Sequence, residues 1–221
     1  MQYGLKQLEQ IAHGLAMQFG SSCEVVIHDA RTKGMEGTIV CIENGEISNR
    51  RVGDGPSHAV LEAIKSGDKE LADRYGYLTR TKDGRVFRSS TIYIRDEDGN
   101  IHYVFCINSD ITDLLNLQKA VAGITGSTGL TEGPAEKPDA ERITTSVADL
   151  LDDLIAQAVA LVGVPANEMT KAQRCQAIKY LNDAGAFLIS KAADKITDYF
   201  GISKFTLYSD LNSVKEKDAA L

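Results

Sequence analysis

Near its end the chain runs Lys191-Ala-Ala-Asp-Lys-Ile-Thr-Asp-Tyr-Phe-Gly-Ile-Ser-Lys-Phe-Thr-Leu-Tyr-Ser-Asp-Leu-Asn212, two helical apolar patterns separated by Gly-Ile-Ser. Two helices that cross steeply over a short turn need a residue able to take positive φ, and Gly201 supplies it. Ile202 then plugs the wedge between them and Ser203 caps the second helix. Ile196 and Phe200 face back from one side, Leu207 and Leu211 from the other. This leaves Lys204, Phe205, Thr206, Tyr208, Ser209 and Asn212 on the outer face, with Ser203 and Lys191 beside it. A recognition helix presents such positions to the major groove of double-stranded DNA. Lysine and serine bind phosphate or guanine, threonine and serine reach bases or phosphate, and asparagine suits adenine. The bland alternative is a helical hairpin with a solvated face.

Elements on either side must hold this motif. The C-terminal half reads as all helical: Ile143–Val162 carries Val147, Leu150, Leu151, Leu154, Ile155, Ala158 and Leu161 at helical spacing and stops at Gly163-Val-Pro165. Thr170 caps the next helix, with Cys175, Ile178 and Leu181 on its apolar face, and a helix over Ser190–Phe200 follows. The N-terminal half opens with a helix over Leu5–Phe19. Strands then fall at Cys23–Ile27 and Thr38–Ile42, the second ending in a Glu43-Asn44-Gly45-Glu46 turn with a hairpin signal. Helical segments are expected at Ser57–Lys65 and Asp68–Tyr75, then strands at Tyr77–Thr81, Arg85–Ile94 and His102–Asn108. The order predicts an α+β domain, a five-stranded antiparallel sheet with flanking helices able to enclose a small cavity. Ile111–Ala122 reads as a helix leaving it. Between the halves, Gly123–Pro138 is dense in Gly, Thr, Ser and Pro. The expected organisation is a domain over 1–122, a flexible linker over 123–142 and a helical domain over 143–221.

Composition narrows the function classes. Hydrophobic residues make 43% of the 221 and charged residues 25%, ordinary for globular protein, and two compact domains fit that length. No apolar run approaches the roughly 18 residues of a membrane span, and the N-terminus lacks a signal-peptide stretch, so a cytoplasmic protein with no membrane partner is expected. The formal net charge of −7 opposes indiscriminate nucleic-acid binding, yet residues 171–217 hold eight basic and five acidic side chains, a local excess of three positive charges. Cys23, Cys41, Cys106 and Cys175 show no CxxC spacing, and His13, His28, His58 and His102 no ligand spacing, so neither a metal nor a disulfide is expected. His28 beside Asp29 is the only pair that suggests metal or acid–base work. No nucleophile elbow, Walker loop, dinucleotide fingerprint or HExxH occurs, and Asp83-Gly84 and Asp98-Gly99 are turns without calcium-loop spacing. An enzyme is not expected.

Several longer motifs complete the reading: Glu24-Val-Val-Ile-His28-Asp29, Asn49-Arg-Arg51-Val-Gly53, Arg88-Ser-Ser90-Thr-Ile-Tyr-Ile-Arg95-Asp96, Cys106-Ile-Asn108-Ser-Asp110, Leu181-Asn-Asp-Ala-Gly185-Ala-Phe187-Leu-Ile-Ser-Lys191-Ala and Gly201-Ile-Ser203-Lys-Phe-Thr206-Leu-Tyr208. Together they resemble, over nearly the whole chain, the YheO-like regulators, which join a PAS-like domain to a helix-turn-helix domain. The resemblance implies a transcriptional regulator whose first domain binds a small ligand or receives a partner. One departure stands out: the family's last helix usually carries arginine near the Ser209-Asp210 positions, where this chain has an acid that is expected to repel phosphate.

In the first domain Arg51, beside Gly53-Asp54-Gly55-Pro56, can offer a fork to a carboxylate. Ser89, Ser90, Asn108 and Asp110 are placed to line the far strands, and an arginine with an acid suits an amino-acid-like effector. The alternative is structural, with Arg51 paired to Asp110 or Asp29, and Ser90 and Asn108 satisfying backbone. No cofactor is expected. A homodimer or higher homo-oligomer is, through Ile111–Ala122 and Ile143–Val162, because one helix-turn-helix rarely buries enough surface for specificity. The rival function is a protein-interaction module without direct DNA binding.

Overall fold

The computed structural model describes residues 4–32, 36–66, 70–126 and 141–218. The chain forms two compact units, the first drawn from residues up to Arg31 and from Gly37 to Thr145, the second from Ser146 onward.

In the first unit, α1 (Leu5–Phe19) leads into β1 (Cys23–Asp29) and β2 (Ile39–Glu43). Then come α2 (His58–Ser66), β3 (Arg74–Arg80), β4 (Val86–Arg95), β5 (Ile101–Asp110), α3 (Thr112–Thr125) and β6 (Glu141–Arg142). The sheet order is β2-β1-β5-β4-β3-β6. The five expected strands pair antiparallel, giving the predicted α+β architecture. A sixth joins them in parallel, with Thr79 opposite Glu141 and Arg80 opposite Arg142.

Both faces of the sheet are covered. Leu8, Ala12 and Ala16 of α1 pack on Cys23, Val25, Ile27, Tyr103 and Phe105. On the opposite face Val60 and Ala63 of α2 pack on Val26, Ile39, Tyr93, Val104 and Cys106. A strand covered on both sides reads as a near-continuous apolar run, which is why Cys23–Ile27 shows no alternation.

Several local expectations give way. Residues 70–73 are not helical and β3 begins at Arg74, so the helix expected over Asp68–Tyr75 is not formed there; 67–69 lie outside the described residues. The Asn44-Gly45 signal does not close a hairpin, because β2 pairs only with β1. Asn44 instead takes the left-handed conformation and opens a 3-10 turn over Gly45–Ile47. Of the expected linker, α3 continues to Thr125, 127–140 lie outside the described residues, and Glu141-Arg142 is β6. The helix expected from Ile143 starts at Val147, because Ser146 caps it by accepting from the Asp149 amide at 3.1 Å; Ile143 and Thr144 are buried in the first unit.

The second unit holds α4 (Val147–Val162), α5 (Lys171–Asp183), α6 (Ala192–Phe200) and α7 (Lys204–Asp218). Thr170 and Gln173 form a capping box on α5, and Gly163 ends α4 in the left-handed conformation. Leu150, Leu154, Ile155, Ile178, Leu181, Ile196 and Leu207 are among its fully buried side chains.

Candidate functional site

The helix-turn-helix is built as the spacing requires. Gly201 ends α6 at φ 62° and ψ 34°, a conformation that costs glycine little. The Ile202 amide donates to the Thr197 carbonyl at 3.1 Å, closing the turn. Ser203 Oγ accepts from the Thr206 amide at 3.1 Å and lies 2.9 Å from the Thr206 hydroxyl, which fixes the start of α7. Ile196, Phe200, Leu207 and Leu211 are buried between the helices, and Ile202 is half-buried.

The opposite face of α7 is turned outward. Phe205 is 84% exposed and Tyr208 49%, with Lys204, Ser209 and Asn212 also exposed. Of the DNA-contact positions expected from sequence, these five share one outward surface. Ser203 and Thr206 are spent on the cap. Lys191 is exposed at the N-cap of α6 in the left-handed conformation. Lys204 Nζ pairs with Asp194 of α6, and both side chains are more than half exposed.

Asp210 overturns an expectation. It is 1% exposed and accepts from Arg174 Nε of α5 at 2.8 Å, so its charge is neutralised inside the unit and does not stand in front of DNA. Its position, three residues after Leu207 and one before Leu211, lies on the inward side of the helix. Burial and the Asp210 charge push the neighbouring Cys175 thiol up, keeping it protonated.

In the first unit the strand register sorts the expected ligand residues. Tyr77, Ser89, Asn108 and Glu24 lie opposite one another across β3, β4, β5 and β1 and so share a face, the one α2 covers. Ser90 must point to the other face, since side chains alternate; its hydroxyl accepts from the Gly76 amide at 3.1 Å. Ser89 is bonded to the Thr79 hydroxyl at 2.7 Å. Asp110 is at the strand end, paired with Arg85 at 3.1 Å and capping Thr112. Arg51 projects outward with its side chain 88% exposed and pairs only loosely, 3.8 Å, with Asp54. Arg51 and Asp110 do not pair with each other.

Arg50 does what was expected of its neighbour. It is 6% exposed and pairs with Glu24, which is fully buried. Glu24 also accepts from Asn108 Nδ2 at 2.8 Å and from the Ser48 hydroxyl, while Arg50 Nε donates to Ser48 at 3.0 Å. A buried ion pair persists when hydrogen bonds satisfy both partners, as here. The chain reaches this geometry through Gly45, whose carbonyl accepts from the Arg50 amide at 2.9 Å. A Cβ on Gly45 would lie 2.3 Å from the Arg50 carbonyl oxygen, so only glycine fits. His28 is fully buried, its Nδ1 3.0 Å from the Thr38 hydroxyl. Burial and the Arg50 charge lower its pKa to about 3, so it stays neutral at ordinary pH.

Beside this cluster is a cavity of about 30 Å³, lined on one side by Arg50 and Asn108, at the start of α2 by Ser57 and His58, and at the edge by Arg142 and Ile143. His58, placed by sequence on an amphipathic helix, is its first residue and faces this space. Sequence reasoning missed Glu24 and Arg50. The available signal was a glutamate standing in an otherwise apolar, two-sided strand, which demands a buried cation.

Among the described residues no three His, Cys, Asp or Glu side chains are grouped to hold a metal, and no helix is long and apolar enough to cross a membrane.

Comparison with known proteins agrees with this geometry. The model of the YheO-like PAS domain matches residues 1–125, more than half of the chain. The chain belongs to the YheO-like PAS domain family. In this YheO-like chain an HTH domain model also matches, over residues 150–212, the stretch that holds Gly201 and the first part of α7. The uncharacterized protein YheO of Escherichia coli K12 is 29% identical over 220 residues, covering 97% of this chain and 86% of its own length. The transcriptional regulator DauR of Pseudomonas aeruginosa is 27% identical over 219 residues, covering 96% and 95%. An uncharacterized Haemophilus influenzae protein is 25% identical over 213 residues, covering 96% and 92%. A solved chain from the phage VqmA–DPO complex aligns over 94% of this YheO-like chain and 90% of its own with 15% identity and a TM-score of 0.32, too weak a likeness to support an inference.

Proposed function

We propose that the chain is a cytoplasmic, non-enzymatic transcriptional regulator that binds double-stranded DNA through α7 and adjusts that binding when its first unit takes up a small polar effector. The observation that carries the reading is the outward surface of α7. Lys204, Phe205, Tyr208, Ser209 and Asn212 are exposed together over a buried apolar seam, and Asp210 of the same helix is turned inward to Arg174. Such a face offers one charge for phosphate, hydroxyl and amide groups for base edges, and aromatic surface for thymine methyls. Kinship with the transcriptional regulator DauR supports the same class. The polar row of Glu24, Arg50, Ser89 and Asn108 beneath α2 supports a sensor that reads hydrogen-bonding groups, amino-acid-like molecules included.

A symmetric dimer completes the reading. Helix α3 buries none of its residues and exposes Leu114, Leu117, Val121 and Ile124 at 51–87%. Their spacing of three, four and three is a heptad seam, the pattern by which a helix pairs with its own copy. Two heptads are short for an independent coiled coil, so paired DNA half-sites are expected to reinforce the contact. Leu117→Glu is expected to shift the full-length protein to a monomer in sedimentation without lowering its melting temperature.

The function is tested by selecting bound fragments from genomic DNA with the purified full-length protein. Enrichment of a palindromic site supports the reading. Failure to enrich any fragment at low salt, with or without amino acids, would make the chain a protein-interaction module instead.

A further inference from the structure

We infer that the cavity beneath α2 is a site for a small carboxylate, and that its occupation undocks β6, the strand that leads into the DNA-binding unit. This rests on the reading of the first unit as a sensor. Two guanidinium groups, Arg50 and Arg142, line the space, and the Glu24 carboxylate that pairs with Arg50 is not part of the lining. Asn108 and Ser57 add polar atoms, and the Ser57 hydroxyl is buried with no hydrogen-bond partner. The surroundings favour an anion with several acceptor oxygens, which a guanidinium fork binds best.

At about 30 Å³ the cavity has room for one or two waters and no more. Any organic anion must therefore move a wall. Four walls are held fast: β5 and β3 by their ladders, α2 by Val60 and Ala63 in the core, and the Arg50 segment by its buried pair with Glu24. The fifth is β6, two residues on the sheet edge, followed by Ile143, whose amide donates to the Arg80 carbonyl at 2.7 Å. Its docking leaves the Thr144 hydroxyl buried, with the residue 4% exposed, and without a partner, which weakens it further. The wall that yields is β6. Arg142 is four residues from Ser146, the N-cap of α4, and four residues span at most about 14 Å. Release of β6 thus frees the entry to the second unit, so the effector and the docked strand exclude one another and the first unit's chemistry reaches the second through the chain itself.

Hydrogen exchange of the full-length protein, with acetate and succinate as probes and sodium chloride at equal ionic strength as control, tests this. Both carboxylates are expected to raise exchange at the Ile143 amide at least tenfold while amides of β4 and β5 keep their protection. Ser57→Ala, which removes the unpartnered hydroxyl from the fixed part of the lining, should weaken succinate binding in calorimetry several-fold, and Ile143→Gly, which loosens β6, should strengthen it several-fold. Absence of carboxylate binding, equal effects of chloride, or unchanged or lower exchange at Ile143 overturns the inference. DNA binding measured on the same samples keeps the outcomes apart. Retained DNA binding with an unmoved β6 sinks only the coupling, and DNA binding absent both with and without carboxylate, with a released β6, sinks only the regulator reading.

Discussion

Replacing Asp210 by Asn asks directly whether this acid of α7 faces DNA or the interior. Arg174 Nε and Asp210 Oδ2 are 2.8 Å apart, with side chains 18% and 1% exposed. At an effective dielectric of about 20 their gross attraction is about 6 kcal/mol, most of it offset by desolvation. Removing one partner of a buried pair nevertheless costs about 3–5 kcal/mol, because the other charge stays behind. Arg174 retains some contact with water, so the low end applies, about 3 kcal/mol. For a unit of this size each kcal/mol shifts the melting temperature by about 4–8 °C, so the second unit should melt about 12–24 °C earlier. Calorimetric scanning of the full-length protein measures this, with Arg174→Met and Asp210→Leu together expected to recover most of the loss. Affinity for a random duplex, read well below the melt, should not rise. A variant that melts within about 2 °C of the wild type and binds DNA several-fold tighter would place Asp210 at the interface and refute the buried-pair account.

Three further outcomes follow from other sites. His28 is neutral in the fold down to about pH 3 but takes up a proton on unfolding below its ordinary pKa near 6.5. Stability is therefore unaffected by it above that pH and falls by about 1.4 kcal/mol per unit as pH drops from 6.5 toward 3, and His28→Gln should remove one proton from the measured linkage. Gly45→Ala forces its Cβ against the Arg50 carbonyl at 2.3 Å, backbone against backbone, and should destabilise the first unit by about 1–3 kcal/mol in chemical denaturation. Asp194→Asn releases Lys204 from its ion pair and should tighten binding to random duplex several-fold at low salt; Lys204→Ala should reduce the salt slope by about 0.9.

The helix-turn-helix was legible because its determinants are local. Ile196, Phe200, Leu207 and Leu211 follow the helical period, and Gly201 and Ser203 carry the conformations their types favour. The inward turn of Asp210 was available from the same period, beside Leu207, but a charge is easily assigned to solvent until its distant partner is known. Arg50 and Arg51 are adjacent, and which of the two turns inward is decided by the turn that Gly45 permits and by a glutamate twenty-six residues earlier. The serines at 89 and 90 pose the same problem, since a shift of one residue flips the face. The tyrosines at 75 and 77 carry strand alternation that a helical reading of Asp68–Tyr75 overrode. Ile143 continued the apolar period of α4, while Ser146 followed by Asp149 marked the true start. Strand β6 has two residues and no local signature; only the docked fold shows it.

Whether the exposed face of α7 reads DNA is most directly tested by the specificity ratio. The affinity of the full-length protein for its selected fragment is compared with that for a random duplex of equal length, for the wild type and for Tyr208→Ala, Ser209→Ala, Asn212→Ala combined. None of the three side chains is buried, so the variant should fold as the wild type does. Loss of about 1–3 kcal/mol per lost base contact predicts a ratio reduced at least tenfold, with salt-dependent binding to random duplex nearly unchanged. An unchanged ratio in a folded variant would contradict the assignment of α7 as the reading helix.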